Sequence, residues 1–268
     1  TRGTAIPLPL YRESDAERQK PFEAPDQQWK QIYDVRRYDA NADVDQTAFE
    51  LKDRNLFDAP PNVYDAKAIR ACYYAMIEMI DDRFGQVLAA LDRSGQADNT
   101  IVIVTSDHGE MLGDHGMLYK GCRFFEGLVH VPLIVRWPAR VAGGQASRAL
   151  VELIDIAPTL MDAAGIDVPS NVQGKSLVPL MTGASALDVH KSVVISEFNG
   201  ALAGMPYQSH GTMVFDGRYK TCVYQGLEKG EIYDLQNDPG EFENLWDHAD
   251  LGELRFRLIH RHLGALMW

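Results

Sequence analysis

A long amphipathic helix that runs straight into a short β-branched strand restricts the fold of this chain more than any other feature. Between Asp65 and Ser94, the residues Ile69, Cys72, Met76, Ile80, Phe84, Val87 and Leu91 recur at spacings of three and four, with Leu88 widening the stripe. That is the repeat of one helix face, and such a stripe is expected to be core. Asp65 suits the helix start and Gly95 its end. After Asp98-Asn99 comes Thr100-Ile101-Val102-Ile103-Val104-Thr105. An apolar run without polar alternation suits a strand buried on both faces, as in a parallel sheet. A second run, Val131 to Arg136, carries Pro132, which lacks an N–H and belongs at an edge or bulge.

The rest of the chain divides by pattern. Residues 1–62 are rich in Pro, Asp, Gln and Arg and read as irregular, with short helical pieces around Ala24 to Tyr38. Asp155 to Gly165 reads as a compact helix with Asp155 as its cap, a structural role, and Pro158 tolerated in the first turn. From about Ser192 short strands follow one another: 193–195, 212–215, 219–224 and 231–235, with a hairpin turn at Asp216-Gly217. A helix from Leu251 to Leu266 ends the chain. The expected fold is α/β: a sandwich of a mainly parallel or mixed sheet between helices, with a small C-terminal antiparallel sheet plus terminal helix. The expected division is an α/β domain portion over 1–190 and a small α+β subdomain over 191–268.

Composition excludes several partners. The net charge of −12 repels phosphate backbones, so nucleic acid is not expected as a partner, and an anionic substrate would need a local cation. No apolar run approaches the roughly 18 residues of a membrane helix. Three widely spaced cysteines, Cys72, Cys122 and Cys222, do not form a disulfide framework, and Cys72 on the helical stripe is expected to be a buried thiol. The chain opens on Thr1, with no leader from which a compartment can be read.

The chemistry concentrates in Thr105-Ser106-Asp107-His108-Gly109-Glu110-Met111-Leu112-Gly113-Asp114-His115-Gly116, directly after the apolar strand. Ligands of open α/β sheets bind just beyond the carboxyl ends of strands, where Asp107 and His108 fall. A carboxylate and an imidazole are both competent ligands for a divalent cation. Gly109 lets the backbone turn sharply enough for adjacent side chains to converge. An Asp-His pair alone serves equally well as a cap and a surface histidine. The preceding strand, the repeated Asp-His-Gly and the lone Lys120 among glycine and aromatics favour a site.

These residues carry a resemblance. Ser106 to Glu110 with Gly113-Asp114-His115-Gly116, then Lys120, Phe125-Glu126-Gly127 and Val131-Pro132-Leu133, resemble the type I sulfatases of the alkaline phosphatase superfamily. The resemblance continues through Asp155 to Leu160, Gly217-Arg218-Tyr219-Lys220, and Glu231 to Leu235 with Asp238-Pro239-Gly240-Glu241, covering roughly Ala68 to Trp246. It implies that Asp107 and His108 are the later pair of metal ligands. It also implies that Lys120 contacts the sulfate group and stabilises the leaving oxygen. The implied cofactor is one divalent cation, calcium first, with manganese or zinc as alternatives because His softens the site. Three expected features do not occur in this sequence: the Cys/Ser-x-Pro-x-Arg motif that yields the formylglycine nucleophile, the early Asp pair, and an upstream substrate-binding His. The formylglycine is therefore expected only in a preceding N-terminal part.

Lesser candidates are weighed against plain structural roles. His210, at the start of a hairpin strand, is either a substrate contact from the small subdomain or a surface histidine. His115 is a metal-side partner or, more simply, a loop-stabilising residue. Glu126 reads as a local pair or cap, and Phe124-Phe125 as packing beneath the lysine loop. The expected activity is hydrolysis of sulfate monoesters, on a small molecule or a saccharide. Phosphonate or phosphate monoester hydrolysis is the enzyme alternative, and an inactive fragment or binding module the non-enzyme one.

Overall fold

The computed structural model describes residues 6–12, 14, 15, 18, 66–117, 120, 123–199 and 210–267. Helix α1 spans Ala66–Arg93 and its 28 residues extend about 42 Å at about 1.5 Å per residue. Gly95, at φ 69°, ends it in the left-handed conformation that glycine adopts without penalty. The short strand β1, Val102–Thr105, follows a single 3₁₀ turn. One turn of helix, α2 (Glu126–Val129), then leads into β2 (Leu133–Arg136).

Two expectations need correction here. Strand β1 pairs antiparallel with β2, from Val102 opposite Arg136 to Thr105 opposite Leu133, so the parallel pairing is not seen among the described residues. Its side chains are half-buried or exposed rather than enclosed on both faces. An apolar β-branched run reports a capacity for burial and carries no information on strand direction. The α1 stripe is likewise only partly covered: Met76, Ile80 and Val87 are each more than half exposed, whereas Ile69, Phe84, Leu88 and Leu91 are half-buried. Cys72, on that stripe, is exposed and not buried. A helix of this length presents more apolar surface than a ribbon of two four-residue strands can cover, and among the described residues no larger layer faces it.

Around Asp155 the chain is held by polar contacts. Helix α3 (Ile156–Ala163) follows a 3₁₀ turn in which Glu152 and Asp155 form a reciprocal capping box. Asp155 is fully buried and accepts from the backbone N–H of Glu152 at 2.9 Å and of Lys175 at 2.8 Å. Lys191 lies 2.6 Å away and pairs with Glu152 as well. Thr159 donates to the Asp155 carbonyl and accepts from the Leu177 N–H, which anchors α4 (Val178–Met181).

The C-terminal part follows its sequence pattern closely. Strands β3 (Val194–Asn199), β4 (His210–Phe215), β5 (Tyr219–Tyr224) and β6 (Glu231–Asp234) form one antiparallel sheet in chain order. The β4–β5 turn runs through Gly217 at φ 92°, where Asp216 accepts from the N–H groups of Arg218 and Tyr219. Helix α5 (Gly252–Leu266) packs against β4 and β5, and its buried His262 meets the Thr212 hydroxyl at 2.7 Å. No described helix is long and apolar enough to cross a membrane.

Two core clusters share one short segment. Phe124 packs with Met213, Cys222 and Tyr224 of the sheet, whereas Phe125 packs with Met111, Met117, Leu128 and Tyr233. Phe125 is extended, at φ −62° and ψ 150°, so the adjacent rings point to opposite sides.

The Asp155 cluster yields the first test. Asp155→Ala strips two backbone donors of their acceptor in a fully buried site and leaves the Lys191 ammonium only Glu152. A loss of about 3–5 kcal/mol in denaturant-induced unfolding is expected. A loss under about 1 kcal/mol would show that the carboxylate is not the anchor described here.

Candidate active site

Beyond the end of β1, three side chains from two loops converge. The Asp107 carboxylate accepts from the His108 N–H at 2.9 Å, which folds the pair into one tight turn. That hydrogen bond, together with the adjacent imidazole, holds the Asp107 carboxyl below its ordinary range. The Ser106 hydroxyl donates to the His108 carbonyl at 2.8 Å and closes the turn. His108 Nδ1 lies 2.8 Å from the Gly109 carbonyl, which can only accept, so Nδ1 carries the proton. The lone pair therefore sits on Nε2, which faces Asp107 Oδ2 at 3.6 Å and Lys120 Nζ at 3.1 Å. Asp107, His108 and Lys120 are thus neighbours at one exposed spot. His210 opens β4 opposite Asn199 and takes no part in the contacts among those three.

The loop behind the pair is pinned along its length. Gly109 N–H donates to the Leu128 carbonyl at 2.8 Å and Glu110 N–H to the Gly127 carbonyl at 3.0 Å. A Cβ at Gly109 would stand 1.9 Å from the Gly127 oxygen, so only glycine permits this approach. Farther on, Arg70 of α1 donates to the Leu112 carbonyl and to Asp114. Leu112 and His115 hold left-handed backbone at φ 49° and 53°, a conformation that must be imposed on such residues. His115 is buried and stacks on Phe125 with centroids 4.2 Å apart, and its N–H donates to the Leu10 carbonyl. These contacts assign it to the loop and not to a ligand shell.

Sequence reasoning missed the anchor of the second loop. Lys220, on β5, is 1% exposed. Its ammonium donates to the Phe124 carbonyl at 2.9 Å and to Glu241 at 2.8 Å, and it pairs with Glu126 at 2.5 Å. The other Glu241 oxygen accepts from the Glu126 N–H at 2.7 Å, at the start of α2. Burial works against the charged ammonium, yet the two carboxylates raise the Lys220 pKa above its usual value. Burial raises the Glu241 carboxyl despite Lys220. Glu126 is different: burial pushes its carboxyl up, but His130 and Lys220 outweigh it and hold it at about 2. The reading of Glu126 as a local pair holds.

Two outcomes follow from this geometry. Gly109→Ala forces the Asp107–Glu110 loop off the 127–128 backbone, with an expected cost of about 1–3 kcal/mol. Gly143→Ala, whose added Cβ meets nothing within 4 Å, should stay within about 0.5 kcal/mol in the same denaturant titration. The second outcome concerns acid. A carboxyl at about 2 when folded, against the ordinary 4.5 of a glutamate, adds stability that is complete above pH 4.5 and lost as the pH falls towards 2. Glu126→Gln should flatten that acid limb by on the order of 1–2 kcal/mol. An unchanged limb would place the charge elsewhere.

Comparisons with known proteins agree with one another. The family described as "Sulfatase" matches residues 10–166, and that described as "N-sulphoglucosamine sulphohydrolase, C-terminal" matches residues 113–266. Arylsulfatase K of Xenopus laevis is 34% identical over 195 residues, covering 70% of this chain and 35% of that protein. An N-acetylglucosamine-6-O-sulfatase of Bacteroides thetaiotaomicron is 32% identical, covering 70% of this chain and 34% of that protein. Among solved structures, a phosphonate monoester hydrolase of Agrobacterium radiobacter is 34% identical with a TM-score of 0.66, covering 75% of this chain and 41% of that one. A structure in complex with its substrate D-glucosamine-2-N,6-O-disulfate is 27% identical with a TM-score of 0.67, covering 82% of this chain and 43% of that one. The chain therefore spans about a third of the length of these curated relatives. With most of its length matched by the family and the motif residues gathered beyond β1, this chain belongs to the sulfatase family.

Proposed function

We propose that the chain supplies part of the active site of a hydrolase that cleaves sulfate monoesters to an alcohol and sulfate. The observation that carries this is the convergence of Asp107, His108 and Lys120 in a member of the sulfatase family. Asp107 and His108 fit one side of a divalent cation's shell. Ligating histidines commonly donate the other ring N–H to a carbonyl, as Nδ1 does to Gly109, and Nε2 is left facing the carboxylate. Two donors do not complete a shell, and among the described residues no group of three or more His, Cys, Asp or Glu is placed to hold a metal. The other ligands and the formylglycine nucleophile would lie in the part of a sulfatase that precedes the matched span. Calcium is the first candidate, manganese and zinc the others. When bound, the cation supplies positive charge that attracts and polarises a sulfate oxygen.

Lys120 places a cation beside His108 in a chain of net charge −12. Its ammonium would meet the charge that grows on the departing oxygen. His210 would touch the substrate from the C-terminal sheet. We take residues 1–190 as the α/β part and 191–268 as the small subdomain, with the uncovered faces of β1 and α1 packed within a larger, mainly parallel or mixed sheet. The relative named for N-acetylglucosamine-6-O-sulfate and the neighbour bound to a glucosamine disulfate favour a sulfated saccharide as substrate. The phosphonate monoester hydrolase neighbour supports the second reading, a related tetrahedral ester.

The test is kinetic. In the complete enzyme, Lys120→Ala should lower kcat on aryl sulfates by on the order of 10²-fold. The loss should shrink for esters of acidic phenols, whose oxygen departs with less help. An unchanged kcat on both kinds of ester removes Lys120 from the site. Faster turnover of a phosphonate monoester than of every sulfate ester tried would select the second reading. The 268-residue chain alone should show little or no turnover, and metal-dependent hydrolysis by it would show that the chain holds a complete site of another kind.

A further inference from the structure

We propose that Lys220 and Glu241 are positioning residues that set both active-site loops through the first turn of α2. That the positioned side chains serve a sulfatase rests on the function proposed above; the positioning does not. The Lys220 ammonium has three donors and three partners: the Phe124 carbonyl, Glu241 and Glu126. None of them lies on its own sheet. Two belong to the segment that carries Phe124 and α2, and the third to the turn after β6. A buried ion cluster is a poor means of stabilising a sheet, because an apolar residue of similar size commonly does as well or better. What the cluster offers is direction, since each acceptor is held at a hydrogen-bond distance from one point.

The grip passes along the backbone in both directions. Glu241 caps the Glu126 N–H, a donor that a helix start leaves without an intrahelical partner. Glu241 itself sits at φ 54°, a left-handed conformation that its carboxylate contacts hold in place. One and two residues later, the Gly127 and Leu128 carbonyls receive the Glu110 and Gly109 N–H groups, and the turn of Asp107 and His108 is continuous with those amides. Upstream, Lys120 stands four positions before Phe124, whose carbonyl Lys220 holds. The loop that carries the carboxylate and imidazole is therefore registered against this turn, and the ammonium follows from a residue four positions before the carbonyl that Lys220 holds.

Amide hydrogen exchange on the full-length protein tests this without using catalysis. Lys220→Met should speed exchange at Gly109 and Glu110 by about 10-fold or more relative to the β4 and β5 amides. Should that variant fail to fold because two carboxylates are stranded, the double variant Lys220→Met/Glu241→Gln removes the ion cluster with less charge left behind, and the same local loss is expected. Lys191→Met, which breaks the ion cluster at Asp155, controls for general destabilisation and should leave Gly109 and Glu110 in step with the sheet. In the unsubstituted protein, Gly109, Glu110 and Glu126 should share one opening event, with protection agreeing within about 3-fold. The proposal is overturned if the site-loop amides follow the sheet amides in the folded Lys220 variants, or if Lys191→Met frees them equally. Protection in the unsubstituted protein that separates Glu126 from Gly109 by more than about 100-fold also overturns it.

Discussion

The ammonium of Lys220 sits where water does not reach, and one carbonyl and two carboxylates take up its three donors. A group of this kind tolerates no partial solution: remove one acceptor and a buried charge is left uncompensated. The segment it grips is also the seam of the structure. Phe124 fills the core of the C-terminal sheet while Phe125 fills the core beneath the Asp107–Gly116 loop. A displacement of α2 would therefore disturb two hydrophobic clusters and two backbone hydrogen bonds together. Cores of native density have discrete packings and not a continuum of them, so such a seam holds one arrangement firmly.

Much of this was legible in sequence, and the legible parts share a property: their signals are local. The strands of the C-terminal sheet announced themselves through β-branched and aromatic runs broken by Asp216-Gly217, whose turn requires the positive φ that Gly217 shows. The site motif could be read because the carboxylate, the imidazole and the permissive glycine are consecutive. Lys220 and Glu241 could not be read in the same way. The partners of Lys220 are 96, 94 and 21 residues away in sequence, and a lysine inside a strand looks like a solvent-facing residue until its neighbours are known. Glu241 hid within Asp238-Pro239-Gly240-Glu241, where the turn chemistry of the first three residues explained the segment by itself.

The failures also have physical causes. Periodicity says which residues of α1 share a face, and Met76, Ile80 and Val87 do, but it does not name what covers that face. Cys72 was placed inside by the same logic and is exposed for the same reason. The parallel pairing expected at β1 is not seen among the described residues, because burial was used as a proxy for strand direction. Parallel strands are commonly buried on both faces, yet the converse inference fails when a strand such as β1 pairs with a short antiparallel neighbour.

The electrostatics of the site follow from the way His108 is turned. Its Nδ1 proton is committed to a carbonyl of the same loop, which leaves Nε2 as the acceptor and aims it at the space shared with Asp107 and Lys120. With Nδ1 committed to the carbonyl, the ring presents the Nε2 lone pair to that shared space. Asp107 contributes a carboxylate that its own turn keeps ionised by donating the His108 N–H to it. Lys120 places a positive charge against both. The spot therefore combines a carboxylate, an imidazole and an ammonium at one place, on a chain whose overall charge is −12. Such an arrangement does not attract anions through the field of the whole protein. On the function proposed above, selection would be local: a cation held by Asp107 and His108 would add to the Lys120 ammonium and not to the surrounding acidic surface.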